Sequence, residues 1–506
     1  MALPRSPRNA KLPLLASVAF TFLSPPAAVA QEPPRPVDTS AFGKIGAACA
    51  ELRYADFSTI EDAMTQVTSA RPVAGADGTP DYCEVEGYIW RATRFRLRFP
   101  LENWNRKMVV QGGGGQTGDL PNDPQARSGR AAPLRKGYAV VNQNGGHFST
   151  LTDTKWSYFN EPAMIDFGMR TPYVVSVASK AILAHVFGEK PRRAYFEGCS
   201  NGGREAMMMA QRFPWEFDGV IAGAPSIDVR GLTINLFHGA ALLRDQSRAG
   251  FDLAAAQTLH KGAIGQCDKL DGKLDGLIGD PRVCKVDFRP LMCKGEASTS
   301  CLTERQADIA RQMYAGPRNA AGQPFTARSA YPGSELSWIS FITPRWTIDY
   351  GNELMRAALY PPPPPGWIPD PARLEDYAKR MGVIEGLTAP TNPDLTQFNA
   401  AGGKMIAYYG WTDAFGGADA IMNYYEAAER VGGGEEATQD YFRLFMMPGM
   451  DHCGGGEGAF VYDYLGELDK WVESGKAPAS LTGFHPGPEG KPQFSATVVP
   501  YRSKRQ

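Results

Sequence analysis

The chain has 506 residues, and its 53 Lys plus Arg nearly balance 54 Asp plus Glu, for a formal net charge of -1. That balance, with no basic stripe carrying interleaved aromatics, gives no footing for nucleic acid as a partner. Apolar residues make up 43% of the chain, ordinary for a soluble protein, and the length calls for one large domain carrying a sizeable insertion.

The first thirty residues stand apart. Arg5, Arg8 and Lys11 precede an apolar stretch from Leu12 to Leu23, and Ala28-Val29-Ala30 supplies the small-x-small pattern of signal-peptidase cleavage before Gln31. Residues 1–30 are therefore expected to be a signal peptide, with an uncleaved anchor as the rival reading. No later run approaches the roughly twenty apolar residues of a membrane span. The mature chain is expected to be secreted or periplasmic, with no membrane association after cleavage.

Export gives the eight cysteines a meaning. An even count in an oxidising compartment reads as disulfides, and the absence of any CxxC together with only six His argues against a Cys/His metal site. Proximity suggests Cys267 with Cys284 and Cys293 with Cys301. Cys49, Cys83, Cys199 and Cys453 are left to pair over longer distances.

In chain order, short apolar runs end in Gly-rich or polar turns, as parallel strands do when their loops build a site. Met108 to Gln111 runs into Gly112-Gly113-Gly114-Gly115, and Tyr138 to Val141 ends at Asn142-Gln143-Asn144-Gly145-Gly146. A helical segment, Tyr173 to Phe187, precedes a strand at Ala194 to Glu197. Next come a helix from Gly203 to Arg212 and a strand from Gly219 to Ala222. From 226 to 390 the chain turns irregular and rich in Cys, Pro and Trp; the alternation resumes with strands at Lys404 to Tyr409 and Phe442 to Met447. The expectation is an α/β-hydrolase fold, with a catalytic domain at 31–225 and 391–506 and an inserted lid at 226–390. Two domains in series is the alternative, but the second half alone has too few strands for a sheet.

Gly198-Cys199-Ser200-Asn201-Gly202 fits G-x-S-x-G, whose glycines permit a tight strand-to-helix turn that lifts the serine Oγ clear of the sheet. A serine nucleophile needs a base and a group to orient it, and in this fold the chain order is Ser, acid, His. His147, His185, His238 and His260 fall outside the stretch open to the base, and His485 reads as surface. His452, on the turn after the last apolar strand, is the expected base. Asp413, at the end of the preceding strand, is the expected orienting acid, with Asp419 and Asp451 as rivals. The oxyanion hole is assigned to Asn201 and to the glycine loop, at Gly113 and Gly114.

Cys199 precedes Ser200 and Cys453 follows His452. If the two catalytic side chains meet, their neighbours are brought close to the separation of a disulfide. Cys-Ser, Asp-His-Cys, the four-glycine loop and Gly-Trp-Thr-Asp together resemble the tannase and feruloyl esterase family, which includes bacterial hydrolases of mono(2-hydroxyethyl) terephthalate. The resemblance runs over nearly the whole mature chain. It implies an α/β-hydrolase domain with a large lid, the triad Ser200, Asp413 and His452, the Cys199–Cys453 bridge and a Cys49–Cys83 bridge.

Cys267 to Leu277 places three carboxylates three and four residues apart with two glycines, a set of hard oxygens suited to Ca²⁺ but not spaced as an EF-hand. From composition alone, a solvated turn is the equal alternative. The family resemblance implies a structural Ca²⁺ held by Asp268, Asp271 and Asp275 and the carbonyls of Lys273 and Leu277. It also implies small aromatic esters, of the hydroxycinnamoyl or galloyl type, as substrates. Trp338, Phe341 and Trp346 are the candidate pocket residues, and a terephthalate monoester is the alternative substrate. The rival activities are an acyl transferase built on the same acyl-enzyme and a non-catalytic, calcium-dependent binding protein.

Overall fold

A computed structural model describes residues 42–503 except 77, 117, 121–132, 246, 248, 344 and 365–366. The leader expected at 1–30 and the side chains of residues 341, 345 and 346 lie outside that description.

After helix α1 (Gly43–Glu51), strands β1 (Thr65–Val73), β2 (Tyr82–Ile89) and β3 (Thr93–Pro100) pair antiparallel. None of the three is among the expected strands. Their apolar residues alternate with charges: Phe95, Leu97 and Phe99 are fully buried, while Arg96 and Arg98 pair across the sheet with Glu86 and Glu84 at 2.6 and 2.8 Å. The partner strand's glutamates let those arginines lie on a covered sheet.

The six expected strands are all present: β4 (Lys107–Gln111), β5 (Ala139–Gln143), β6 (Arg193–Cys199), β7 (Gly219–Gly223), β8 (Lys404–Gly410) and β9 (Phe442–Met447). They run parallel, and the nine-stranded sheet has the order β1-β2-β3-β5-β4-β6-β7-β8-β9. Successive side chains feed two cores. Val110, Phe196, Ala222, Ala407 and Leu444 face one, and Val109, Tyr195, Ile221, Ile406 and Phe445 the other. Burial on both faces is why these strands read as unbroken apolar runs.

Helices α2 (Thr171–Phe187) and α3 (Asn201–Arg212) pack on the first face. Between β7 and β8 lies the long irregular block, in which the main helices are α4 (Val229–Leu242), α5 (Leu253–Cys267), α6 (Glu304–Ala315) and α7 (Arg345–Ala358). It builds cores of its own, one around Leu243, Phe251, Leu259 and Leu302, another around Ile234, Met355, Leu359 and Met381. Trp338 belongs to the first of these cores. It is fully buried, and its indole N–H donates to Ser334 Oγ at 2.9 Å. Its expected place in the substrate pocket is therefore corrected: the ring is closed off in the block's own core, against Phe251 and Tyr314.

Beyond the block, α8 (Ala418–Gly432) returns to the first face, while α9 (Tyr464–Ser474) covers the second with Leu465, Leu468 and Trp471. A small antiparallel sheet closes the chain: β10 (Val461–Tyr462), β11 (Leu481–Pro486) and β12 (Pro492–Val498). His485, read from sequence as a surface residue, is half-buried in β11, its Nδ1 2.8 Å from Gly458 O and its ring stacked on Phe494. Cross-strand pairing, which its Pro and Gly neighbours did not suggest, covers it.

Four disulfides form: Cys49–Cys83, Cys199–Cys453, Cys267–Cys284 and Cys293–Cys301. No helix among the described residues is long and apolar enough to cross a membrane.

Candidate active site

Ser200 stands between the last residue of β6 and the first of α3, at φ 63° and ψ -121°. A non-glycine residue there is strained by about 1–3 kcal/mol, a cost met only where the surroundings hold it. Here its N–H donates to Gly223 O at 2.9 Å, and its carbonyl accepts from Arg204 N at 3.0 Å. The flanking glycines are required by contact. A Cβ on Gly198 would lie 2.4 Å from the Gly202 carbonyl carbon, and one on Gly202 would lie 2.9 Å from Gly113 O. The elbow and the glycine loop after β4 therefore touch backbone to backbone.

Asp413 follows β8 and is almost fully buried. Its Oδ1 accepts from Phe415 N at 2.9 Å, and its Oδ2 lies 2.8 Å from His452 Nδ1. The two loops that carry this pair interlock, for Trp411 N–H donates to Met447 O at 2.9 Å and Thr412 N–H to Met450 O at 3.2 Å. The rival acids are engaged elsewhere. Asp451 accepts from Thr412 Oγ1 at 2.7 Å, and Asp419 takes the Tyr331 hydroxyl beside Arg328. Burial, with the charges of Asp413 and Glu457, pushes the Asp451 carboxyl up to about 6 despite the Thr412 hydrogen bond.

The Cys199–Cys453 bridge, with its Cα atoms 5.8 Å apart, ties the elbow to the histidine loop across 254 residues of sequence. Ser200, Asn201, His452 and all four glycines of the loop line a single cavity of about 560 Å³. Leu232, Tyr350, Leu354 and Phe415 give it apolar walls, and the Phe415 ring lies 4.9 Å from that of His452. A serine, an imidazole held by a buried carboxylate, and an apolar cavity make a site able to open an acyl ester by nucleophilic attack.

The glycine loop differs from expectation in one respect. The Gly113 N–H, expected to face an oxyanion, donates instead to Glu205 Oε2 at 3.1 Å, so Gly113 anchors the loop. Arg204 and Glu205 read from sequence only as helix formers. No signal marked them: Asn201, Arg204, Glu205, Gln211 and Arg212 fall on one side of the helix and read as a solvated face, yet Arg204 and Glu205 are both buried. Tyr350 and Phe415 had no signal either, since only the packing of α7 and of the turn after β8 brings them to the cavity.

The acidic loop after α5 is exposed, and its carboxylates hold its own backbone. Asp268 accepts from the amides of Asp275 and Gly276, Asp271 from that of Lys273, and Asp275 from that of Leu277. No three His, Cys, Asp or Glu side chains among the described residues gather into a metal-binding group. The donors are all hard oxygens, which is the chemistry Ca²⁺ takes.

The family model described as tannase and feruloyl esterase matches residues 83–356 and 370–497. Mono(2-hydroxyethyl) terephthalate hydrolase of Piscinibacter sakaiensis is 30% identical over 527 residues, covering 89% of this chain and 86% of that protein. Probable feruloyl esterase B-2 of Aspergillus flavus is 28% identical over 435 residues, 80% of each chain. Among solved structures, feruloyl esterase B from Aspergillus oryzae matches with a TM-score of 0.78 at 23% identity, covering 90% of this chain and 96% of that one. Tannin acyl hydrolase from Aspergillus niger gives 0.71 at 20% identity and 91% of each. At those identities the two structures show a shared fold. With matched residues over most of its length and relatives named for ester hydrolysis, the chain belongs to the tannase and feruloyl esterase family and is a carboxylic ester hydrolase.

Proposed function

We propose that this chain is an exported serine esterase of α/β-hydrolase architecture, with the block at 226–390 as its lid, that cleaves small aromatic esters through an acyl-enzyme. The observation that carries the reading is the 2.8 Å contact of His452 Nδ1 with Asp413, bridged by Cys199–Cys453 to the elbow of Ser200.

His452 Nε2 takes the proton of Ser200 as Oγ attacks the ester carbonyl. Asp413 keeps the imidazole in the required tautomer and stabilises its charged form. The oxyanion is bound by the Asn201 N–H, at the start of α3, and by Gly114 on the glycine loop. Collapse of the tetrahedral intermediate expels the alcohol with a proton from His452. Water then repeats the sequence, breaking the acyl-enzyme and releasing the acid. Apolar walls of Leu232, Tyr350, Leu354 and Phe415 suit a planar aromatic acyl group. Hydroxycinnamoyl and galloyl esters are the first choice of substrate, in line with relatives named feruloyl esterase. The 30% identity to a mono(2-hydroxyethyl) terephthalate hydrolase supports that monoester as the second.

Ca²⁺ would be held by Asp268, Asp271 and Asp275 with the carbonyls of Lys273 and Leu277. It would brace this loop, and no catalytic step passes through it.

The test is release of acid from methyl ferulate, methyl gallate and mono(2-hydroxyethyl) terephthalate by the wild type and by Ser200→Ala. Turnover of at least one ester, lost in the variant, is expected. Turnover that survives the substitution removes Ser200 as nucleophile, and silence on all three esters removes the aromatic substrate.

A further inference from the structure

Directly behind the elbow, the side chain of Glu205 is fully buried and accepts three hydrogen bonds from three different segments. Its Oε1 accepts from Asn201 Nδ2 at 3.1 Å, and its Oε2 accepts from Gly113 N and from Gln143 Nε2, each at 3.1 Å. The donors belong to the residue after the nucleophile, the glycine loop after β4 and the end of β5. A Cβ on Gly112 would lie 2.6 Å from Gly202 Cα and 2.8 Å from Glu205 Oε2, so the loop lies hard against α3.

Arg204 fixes the rest of the group. Its guanidinium donates to Asn201 Oδ1 at 2.7 Å and to the carbonyls of Phe167, Gly168 and Thr388. Asn201 is thereby held by both ends of its amide, oxygen to Arg204 and nitrogen to Glu205. Arg204 is also the charged group facing Glu205, with Nη2 3.9 Å from Oε1, and the loop and strand present only Gly113 and Gln143.

We propose that Glu205 is a positioning residue for ester hydrolysis: its carboxylate locks the glycine loop and Asn201 into the spacing that binds the oxyanion. This rests on Ser200 being the nucleophile. Three donors converging on one side chain call for an acceptor-only group. A carboxylate offers two acceptor oxygens, whereas the amide of Gln turns one end into a donor that meets a donor. Hydrogen bonds aimed at a developing charge act only when preset, so a loosened loop lowers transition-state binding and leaves ground-state binding alone. Burial pushes the Glu205 carboxyl up to about 7, against Arg204 and the three donors, so the group that fixes the loop is also one that acid weakens.

The experiment compares wild type with Glu205→Gln in ester hydrolysis and in inhibition by phenyl trifluoromethyl ketone. Addition of the Ser200 Oγ to that ketone's carbonyl carbon, with the serine proton passing to His452, leaves an oxyanion on the former carbonyl oxygen. Expected for the variant is a loss in kcat on the order of 10²-fold, with KM within about twofold and a rise in the ketone's Ki parallel to the kcat loss. Gln143→Met, which removes one donor to Glu205 without touching the elbow, should give a smaller loss of the same pattern, and it serves if Glu205→Gln does not fold. Unchanged kcat, or a kcat loss with no matching loss of ketone affinity, overturns the proposal. Fluorophosphonate labelling of wild type but not of Ser200→Ala shows whether the nucleophile reading stands independently of this result.

Discussion

His260, on α5, lies between two carboxylates. Its Nδ1 is 2.9 Å from Glu335 Oε2 and its Nε2 is 2.8 Å from Glu457 Oε2. Glu457 is five residues beyond His452, so this contact fastens the histidine loop to the inserted block. Burial by itself would lower the imidazole pKa, but the hydrogen bonds and charges of the two carboxylates outweigh it and raise the value from 6.5 to about 9. That rise corresponds to about 3 kcal/mol of stability for the charged folded form. The sign follows from which state holds the proton. Below pH 6.5 both states are protonated and the stabilisation is complete. Above it the unfolded chain gives up its proton first, and stability falls by about 1.4 kcal/mol per pH unit until the folded His260 also deprotonates near pH 9. Replacing the pair with neutral groups of similar shape, His260→Gln with Glu335→Gln, removes this dependence. Urea unfolding followed by tryptophan fluorescence at pH 6, 8 and 10 should show wild type losing about 3 kcal/mol over that range that the double variant does not lose. Parallel stability curves for the two proteins would refute the assignment of the clamp.

Asp413→Asn should lower kcat by about four orders of magnitude in steady-state hydrolysis with little change in KM, because the imidazole loses its tautomer and its counter-charge. Replacing both Cys199 and Cys453 by Ala opens a loop of 254 residues, and the loop-closure estimate for that length is about 5 kcal/mol. A lower thermal midpoint together with a lower kcat is expected, the latter because the bridge adjoins both Ser200 and His452. Trp338→Ala should cost about 3–5 kcal/mol in unfolding free energy and leave KM unchanged; a raised KM at unchanged stability would return Trp338 to the pocket. Chelation by EDTA should lower the thermal midpoint, restored by added Ca²⁺ and abolished by Asp271→Asn, while kcat at 25 °C holds.

The sequence by itself determined the elements whose information is local. Strands β4 to β9 carry apolar residues on both faces and could be read one at a time. The elbow is a local steric pattern, and chain order together with position at a strand end picked out Asp413 and His452, which the fold joins at 2.8 Å. A Cys beside each of Ser200 and His452 turned that inference into an expected bridge, which forms. What only the tertiary structure decided depends on pairing between distant segments. β1 to β3 are amphipathic strands whose arginines become acceptable once Glu84 and Glu86 lie opposite. Trp338 could have lined a pocket or filled a core, and the choice falls to Phe251 and Tyr314, which pack against it from elsewhere in the block. Glu205 looked like any helix-forming glutamate. Asn201 stands four residues before it on the same helix, but its other two donors come from residues 113 and 143, and such partners are set by which segments the fold brings within about 3 Å, a distance that sequence spacing does not encode.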